Sequence, residues 1–236
     1  MEIGKVQAQI ESLSGKHVKF SESIIPNASK IYGVPIPELR KLARQIARED
    51  YEGFLRANPL DSFEMQNLQA FVIGYARDDI HKLLYYMEEF LPKIHDWCVN
   101  DALCQTFHAA RKYPEQTWEF LMRYRNSRQE FEVRVVAVML LSHFLTDAYI
   151  DAVLAVLDGL YVGEPDNPKD AYYAKMGVAW AIATVMAKYP DKCREYMQPG
   201  RNHLERWTYN KALTKMRESF RVSEEIKEWT RSMRMR

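Results

Sequence analysis

The chain is short of the residues that staple or punctuate small folds. Its 236 residues hold three cysteines (Cys98, Cys104 and Cys193), nine glycines and ten prolines. An odd, sparse set of thiols excludes a disulfide framework and suits a reducing cytosol. Strand signals are nearly missing. Val18-Lys-Phe and Ile24-Ile-Pro are the only candidates, Pro26 stops the second, and residues 16–28 read as extended or loop. No apolar run suffices to span a bilayer: the most apolar stretch, Val133 to Leu145, is short and contains Arg134 and His143. The opening Met1-Glu-Ile-Gly-Lys-Val-Gln-Ala lacks the apolar segment of a secretory signal. An excess of one charge is missing too. With 33 Lys and Arg against 32 Asp and Glu, the formal charge is +1, which excludes a strongly basic nucleic-acid binder. The expectation is a soluble, cytoplasmic protein with no membrane partner.

What is present reads as helix. A composition 47% hydrophobic and 28% charged can bury a large core. Apolar residues recur at three and four. Ile36, Leu39, Leu42, Ala43 and Ile46 make one stripe, opened by Pro35 and Pro37. Phe63, Leu68, Phe71, Val72 and Tyr75 make a second, with Asp61 or Ser62 as N-cap. Further helices are predicted over roughly 78–90, 93–111, 114–124, 129–145, 147–159, 168–189, 190–198, 207–220 and 223–233, with Thr146 or Asp147, Asn167 and Ser223 as caps. Arg111-Lys-Tyr-Pro-Glu-Gln-Thr-Trp-Glu-Phe-Leu recurs as Ala187-Lys-Tyr-Pro-Asp-Lys-Cys-Arg-Glu-Tyr-Met, with Tyr113 and Tyr189 76 residues apart. That spacing is about twice the ~40-residue period of HEAT-type helix pairs. The fold expected is all-α, a HEAT-like helical-repeat solenoid forming one domain over residues 1–236. The loop from Leu160 to Lys169 is its longest break.

Three positions do not fit a bland helix. Arg134 sits in Phe131-Glu-Val-Arg-Val-Val-Ala-Val-Met-Leu-Leu, so its guanidinium needs an acid, a carbonyl or an external anion. Trp97 and Asp101 are four apart, which places an indole and a carboxylate on one helix face. Such a pair can hold a cation or orient water beside a positive ring, or it can be a half-buried Trp next to a locally paired acid. Trp180 stands alone among Gly177, Ala179, Ala181 and Ala183, and either fills a gap or lines a cleft. Residues 201–236 carry ten Lys and Arg against five acids, +5, while residues 1–200 carry 23 against 27, −4. Lys211 and Lys215, one turn apart, mark a basic face or the polar end of the array. No metal and no cofactor are expected. Cys104 and His108 share a face at a separation of four, but Cys98 points about 120° away from Cys104 on a 3.6-residue helix.

Together these segments resemble the AlkD-like DNA alkylation repair proteins, HEAT-like-repeat DNA glycosylases. The resemblance lies in Tyr32-Gly-Val-Pro-Ile-Pro-Glu-Leu-Arg-Lys-Leu-Ala, Trp97-Cys-Val-Asn-Asp101, Val133-Arg-Val-Val-Ala-Val, Tyr172-Tyr-Ala-Lys-Met-Gly-Val-Ala-Trp-Ala-Ile and Thr208-Tyr-Asn-Lys-Ala-Leu, in order over about residues 30–222. It implies a concave cleft lined by Trp97, Asp101, Arg134 and Trp180. The implied reaction is hydrolysis of the N-glycosidic bond of cationic N3- or N7-alkylated purines, with Asp101, Trp97 and Trp180 catalytic. Arg134, Lys175, Lys211 and Lys215 would contact DNA. The implied partner is double-stranded DNA with alkylated bases, and the implied state a monomer. The alternative is a diverged HEAT-like binding module that keeps these residues with little or no excision.

Overall fold

The computed structural model of the chain describes residues 2–15, 17–25, 30–165 and 167–235. Among these residues every regular element is a helix. The chain divides into two compact units, Met1–Thr117 and Trp118–Arg236.

The first unit holds α1 (Ile3–Ser12), α2 (Val18–Ile24), α3 (Ile36–Glu49), α4 (Tyr51–Ala57), α5 (Phe63–Tyr75), α6 (Ile80–Phe90), a 3-10 turn at Leu91–Lys93, α7 (Trp97–Thr106) and α8 (Ala109–Lys112). Helix α9 (Pro114–Met122) carries the chain into the second unit, which holds α10 (Glu130–His143), α11 (Ile150–Gly159), α12 (Tyr172–Lys188), α13 (Pro190–Tyr196), α14 (Arg206–Glu218) and α15 (Glu224–Ser232). Within each unit alternate helices stack in chain order, α3 on α5 on α7 and α10 on α12 on α14. This is the packing of a helical-repeat solenoid: each helix leaves an apolar face that the next must cover. The central helices α5 and α12 are covered on both sides. Phe71, Val72 and Ile73 in α5, and Val178, Ala181 and Ile182 in α12, are all buried.

Close approach is set by small residues. A Cβ at Gly74 of α5 would overlap the hydroxyl of Thr106 on α7. A Cβ at Gly177 of α12 would come within 3.3 Å of Arg134 Cγ on α10. Glu64, fully buried at the start of α5, accepts from the backbone N–H groups of Tyr32 at 3.0 Å, Gly33 at 2.8 Å and Val34 at 3.3 Å. One carboxylate thereby satisfies three donors of the segment that leads into α3. Gly33 has φ +76°, and a Cβ there would meet the Val18 backbone nitrogen at 2.6 Å.

The repeat seen in the sequence has a structural counterpart. Tyr113 (φ −129°, ψ 63°) and Tyr189 (φ −131°, ψ 63°) end α8 and α12 in the same backbone conformation. Pro114 and Pro190 then start the next helices. Lys112 and Lys188 each lie over the following tyrosine ring, at 4.9 and 5.8 Å.

Several local expectations are corrected. The segment read as extended contains α2, and α1 and α4 were not anticipated. Pro26, expected to stop a strand, lies outside the described residues, as do Asp166 in the 160–169 loop and Arg236. Ser62 and Ser223 do cap, accepting from Met65 N and Ile226 N at 3.3 Å each. Thr146 and Asp147 do not: α11 begins after Tyr149 with no side-chain cap. Asn167 instead accepts from Lys169 N at 3.2 Å, and α12 begins after Ala171, whose φ of +47° is left-handed.

Candidate active site

In the first unit, α7 presents the first pair. Asp96 caps the helix by accepting from Val99 N at 2.9 Å. This fixes the start of α7 and places Trp97 and Asp101 one turn apart along it. Trp97 is half-buried and its Nε1–H donates to the carbonyl of Ile24, the last residue of α2, at 3.1 Å. Asp101 is 7% exposed. Its negative charge acts in surroundings that water screens poorly. Asp96 is raised above the usual carboxylate range by burial, against its hydrogen bonds from Val99 and Cys98 and with added repulsion from Asp101. The Cys98 thiol is pushed up to about 12 by burial and by the charges of Asp96 and Asp101. Cys98 is therefore held as the thiol, donating to Asn67 Oδ1 at 3.8 Å. Helix α7 ends at Thr106, so His108 does not share its face with Cys104 as the spacing implied.

The second unit carries the other expected residues. Arg134 on α10 is 5% exposed, and its Nη1 donates to the Tyr173 carbonyl at 2.8 Å. Gly177 leaves the space its aliphatic stem crosses. Trp180 on α12 is half-buried, and its carbonyl accepts from Thr184 Oγ1 at 2.8 Å.

Lys175 is placed differently from its expected role. It is fully buried, and its Nζ donates to the carbonyls of Glu164 and Asn167 at 3.2 Å each. It also pairs with Glu205 at 3.8 Å. Glu205 in turn caps α14, accepting from Trp207 N at 2.8 Å and Thr208 N at 2.6 Å. The ammonium ties the 160–170 loop to the start of α14 and presents nothing to a phosphate. The phosphate contact expected of Lys175 is corrected on that ground.

On α14, Lys211 lies over the Trp207 ring at 5.7 Å, whereas Lys215 is paired with Glu218 at 2.8 Å. Lys211 lines a groove of about 480 Å³ with Arg206, Arg217 and Arg234, and no acidic residue lines it. Arg217 is positioned there by neutral partners, Thr214 Oγ1 at 3.1 Å and Thr230 Oγ1 at 3.4 Å. The backbone of Met235 is tied to α14 by a two-way bond with the Asn210 amide, 3.0 Å in each direction. Of these arginines the sequence showed only the local excess of positive charge, since they are brought together by the packing of α15 and the tail on α14.

A family model described as DNA alkylation repair enzyme matches residues 7–216. No curated protein matches the chain.

Proposed function

Because the chain belongs to the DNA alkylation repair enzyme family, we propose that it is an alkylpurine DNA glycosylase, hydrolysing the N-glycosidic bond of cationic N3- or N7-alkylated purines in double-stranded DNA. A cationic base is already a good leaving group, so little acid catalysis is required. As the bond lengthens, positive charge develops on the sugar, and a poorly screened carboxylate stabilises it. Asp101 is assigned that role and the positioning of the attacking water. The indole faces of Trp97 and Trp180 are assigned contact with the sugar and the cationic base. Arg134 is assigned a backbone phosphate. Lys211, with no acidic partner among the described residues, and Lys215, paired with Glu218, are assigned weaker phosphate contacts.

The observation that carries this reading is α7 itself: a buried aspartate one turn from a half-exposed tryptophan, on a helix whose start is pinned by Asp96. The alternative, a diverged binding module without excision, draws support from the burial of Lys175. A base-release assay on duplex DNA carrying N7-methylguanine separates the two. Release by the wild-type chain, reduced on the order of 100-fold or more in Asp101→Asn, is expected. Release unchanged in Asp101→Asn overturns its catalytic role, and no release by the wild type leaves the binding module.

A further inference from the structure

Helix α3 turns a basic face toward aromatic rings of α5. Arg40 lies over Phe71 at 5.2 Å and Arg44 over Tyr75 at 4.9 Å, with Arg44 Nη2 3.5 Å from the Tyr75 hydroxyl. Phe71 and Tyr75 are themselves stacked at 6.2 Å, and the His108 ring lies 6.3 Å from Tyr75. A ring face holds a guanidinium in place without neutralising it, as a carboxylate would. Among the described residues Arg40, Arg44 and Arg111 have no carboxylate within ion-pair distance. Among the described residues Arg40 Nε, which is buried, finds no hydrogen-bond partner. An arginine donor in that state calls for an acceptor.

We propose that Arg40, Arg44 and Arg111, gathered round Tyr75 and His108 in the first unit, form a seat for the backbone phosphates of duplex DNA. The proposal rests on a DNA-directed role for the chain but not on base excision. Guanidinium groups match phosphate oxygens with paired N–H donors, and aromatic backing fixes their planes in advance. Such contacts set the register of a protein on the duplex without reading sequence. The length of the row favours a phosphodiester backbone over a single ion: Arg40 and Arg44 are one helical turn apart, and Arg111 comes from α8.

His108 reports on the seat. The groups that face it are Tyr75 on α5, Arg40 and Arg44 on α3, and Arg111 beside it on α8; burial first, then these three arginines, hold its pKa below the usual histidine value. A phosphate among the arginines removes that repulsion and favours the protonated ring. The pKa of His108 is then higher in the complex than in the free protein. By linkage, affinity rises as pH falls toward the histidine range, with proton uptake on binding.

The test uses the full chain and an unmodified duplex, so that it is independent of base release. Arg44→Gln/Arg111→Gln alters two exposed side chains and leaves the core intact. The double variant is expected to bind roughly 10-fold more weakly at low salt, with the slope of log affinity against log salt shallower by about 1.8, two contacts' worth. The His108 ring resonances of the wild type are expected to titrate at higher pH with saturating duplex. Affinity and slope equal to wild type overturn the proposal, whether or not the chain excises bases. So does a His108 shift produced by inorganic phosphate but not by the duplex. Weaker binding by the double variant upholds it, even where the wild type releases no base and the glycosylase reading falls.

Discussion

Lys175 and Arg134 are both buried cations that donate to backbone carbonyls. Each is a cation in an otherwise apolar helix, and the sequence singled out only Arg134. The same physical rule applied to Lys175, which follows Ala174 and precedes Met176 and Gly177, would have called for an internal partner. The structure supplies Glu205 and two carbonyls. Breaking a buried pair from one side strands the other charge, so Lys175→Met should destabilise the fold by on the order of 3 kcal/mol. Thermal melting checks this, with duplex binding by the remaining folded protein unchanged. A normal melting temperature with weakened binding would return Lys175 to the DNA surface. Trp97 and Asp101 were legible because a four-residue spacing is local information. The Arg40, Arg44 and Arg111 cluster was not, because Arg111 and the backing rings come from other elements. The four-residue spacing of Arg40, Arg44 and Arg48 along the flank of the apolar stripe of α3 was the available clue.

Among elements, the long amphipathic and buried helices were readable from periodicity, whereas α2 and α4 were not. Each has only seven residues. Helices that short are not stable alone and owe their existence to tertiary anchors. In α2, Val18 backs onto Gly33 and the Ile24 carbonyl accepts from Trp97. For α4 the anchor is a polar knot with α6. Tyr51 donates to Asp78, Lys82 bridges Asp78 at 3.0 Å and Glu52, and Tyr86 donates to Glu52 at 3.1 Å. The Tyr51 hydroxyl, the Asp79 backbone N–H and Lys82 hold the Asp78 carboxyl down at about 2, below the usual carboxylate range. A depressed acid stabilises the fold above its unfolded pKa and loses that contribution as pH falls through the folded value. Asp78→Asn should therefore lower stability near neutral pH and flatten the acid limb between about pH 4 and 2. Denaturant melts across that range read both effects; an unchanged acid limb would show that the knot does not titrate with the fold.

For the whole chain, the near-zero net charge is an average that conceals its distribution. The +5 of residues 201–236 lies against −4 elsewhere, and even the acidic body carries the uncancelled arginines of α3. What governs duplex affinity is the number of unpaired cations that reach phosphates, not the sum. Lys211→Gln should make the salt slope of duplex binding shallower by about 0.9, and Lys215→Gln by less, because Glu218 already opposes it. Equal effects of the two variants would mean that the Glu218 pair opens on the duplex. The family and the helical architecture were legible at this scale, since an ordered set of segments survives where no single motif is decisive. The burial of individual cations was not, because it depends on what the neighbouring helices place beside them.

The hydrogen bond from Trp97 to the Ile24 carbonyl has an optical consequence. Indole emission shifts with the polarity around the ring and with the partner of its N–H. A chain in which Trp118, Trp180, Trp207 and Trp229 are replaced by phenylalanine would keep Trp97 as its sole indole fluorophore. Its emission would then register, in real time and without any label, whether α2 is seated against α7 or has let go.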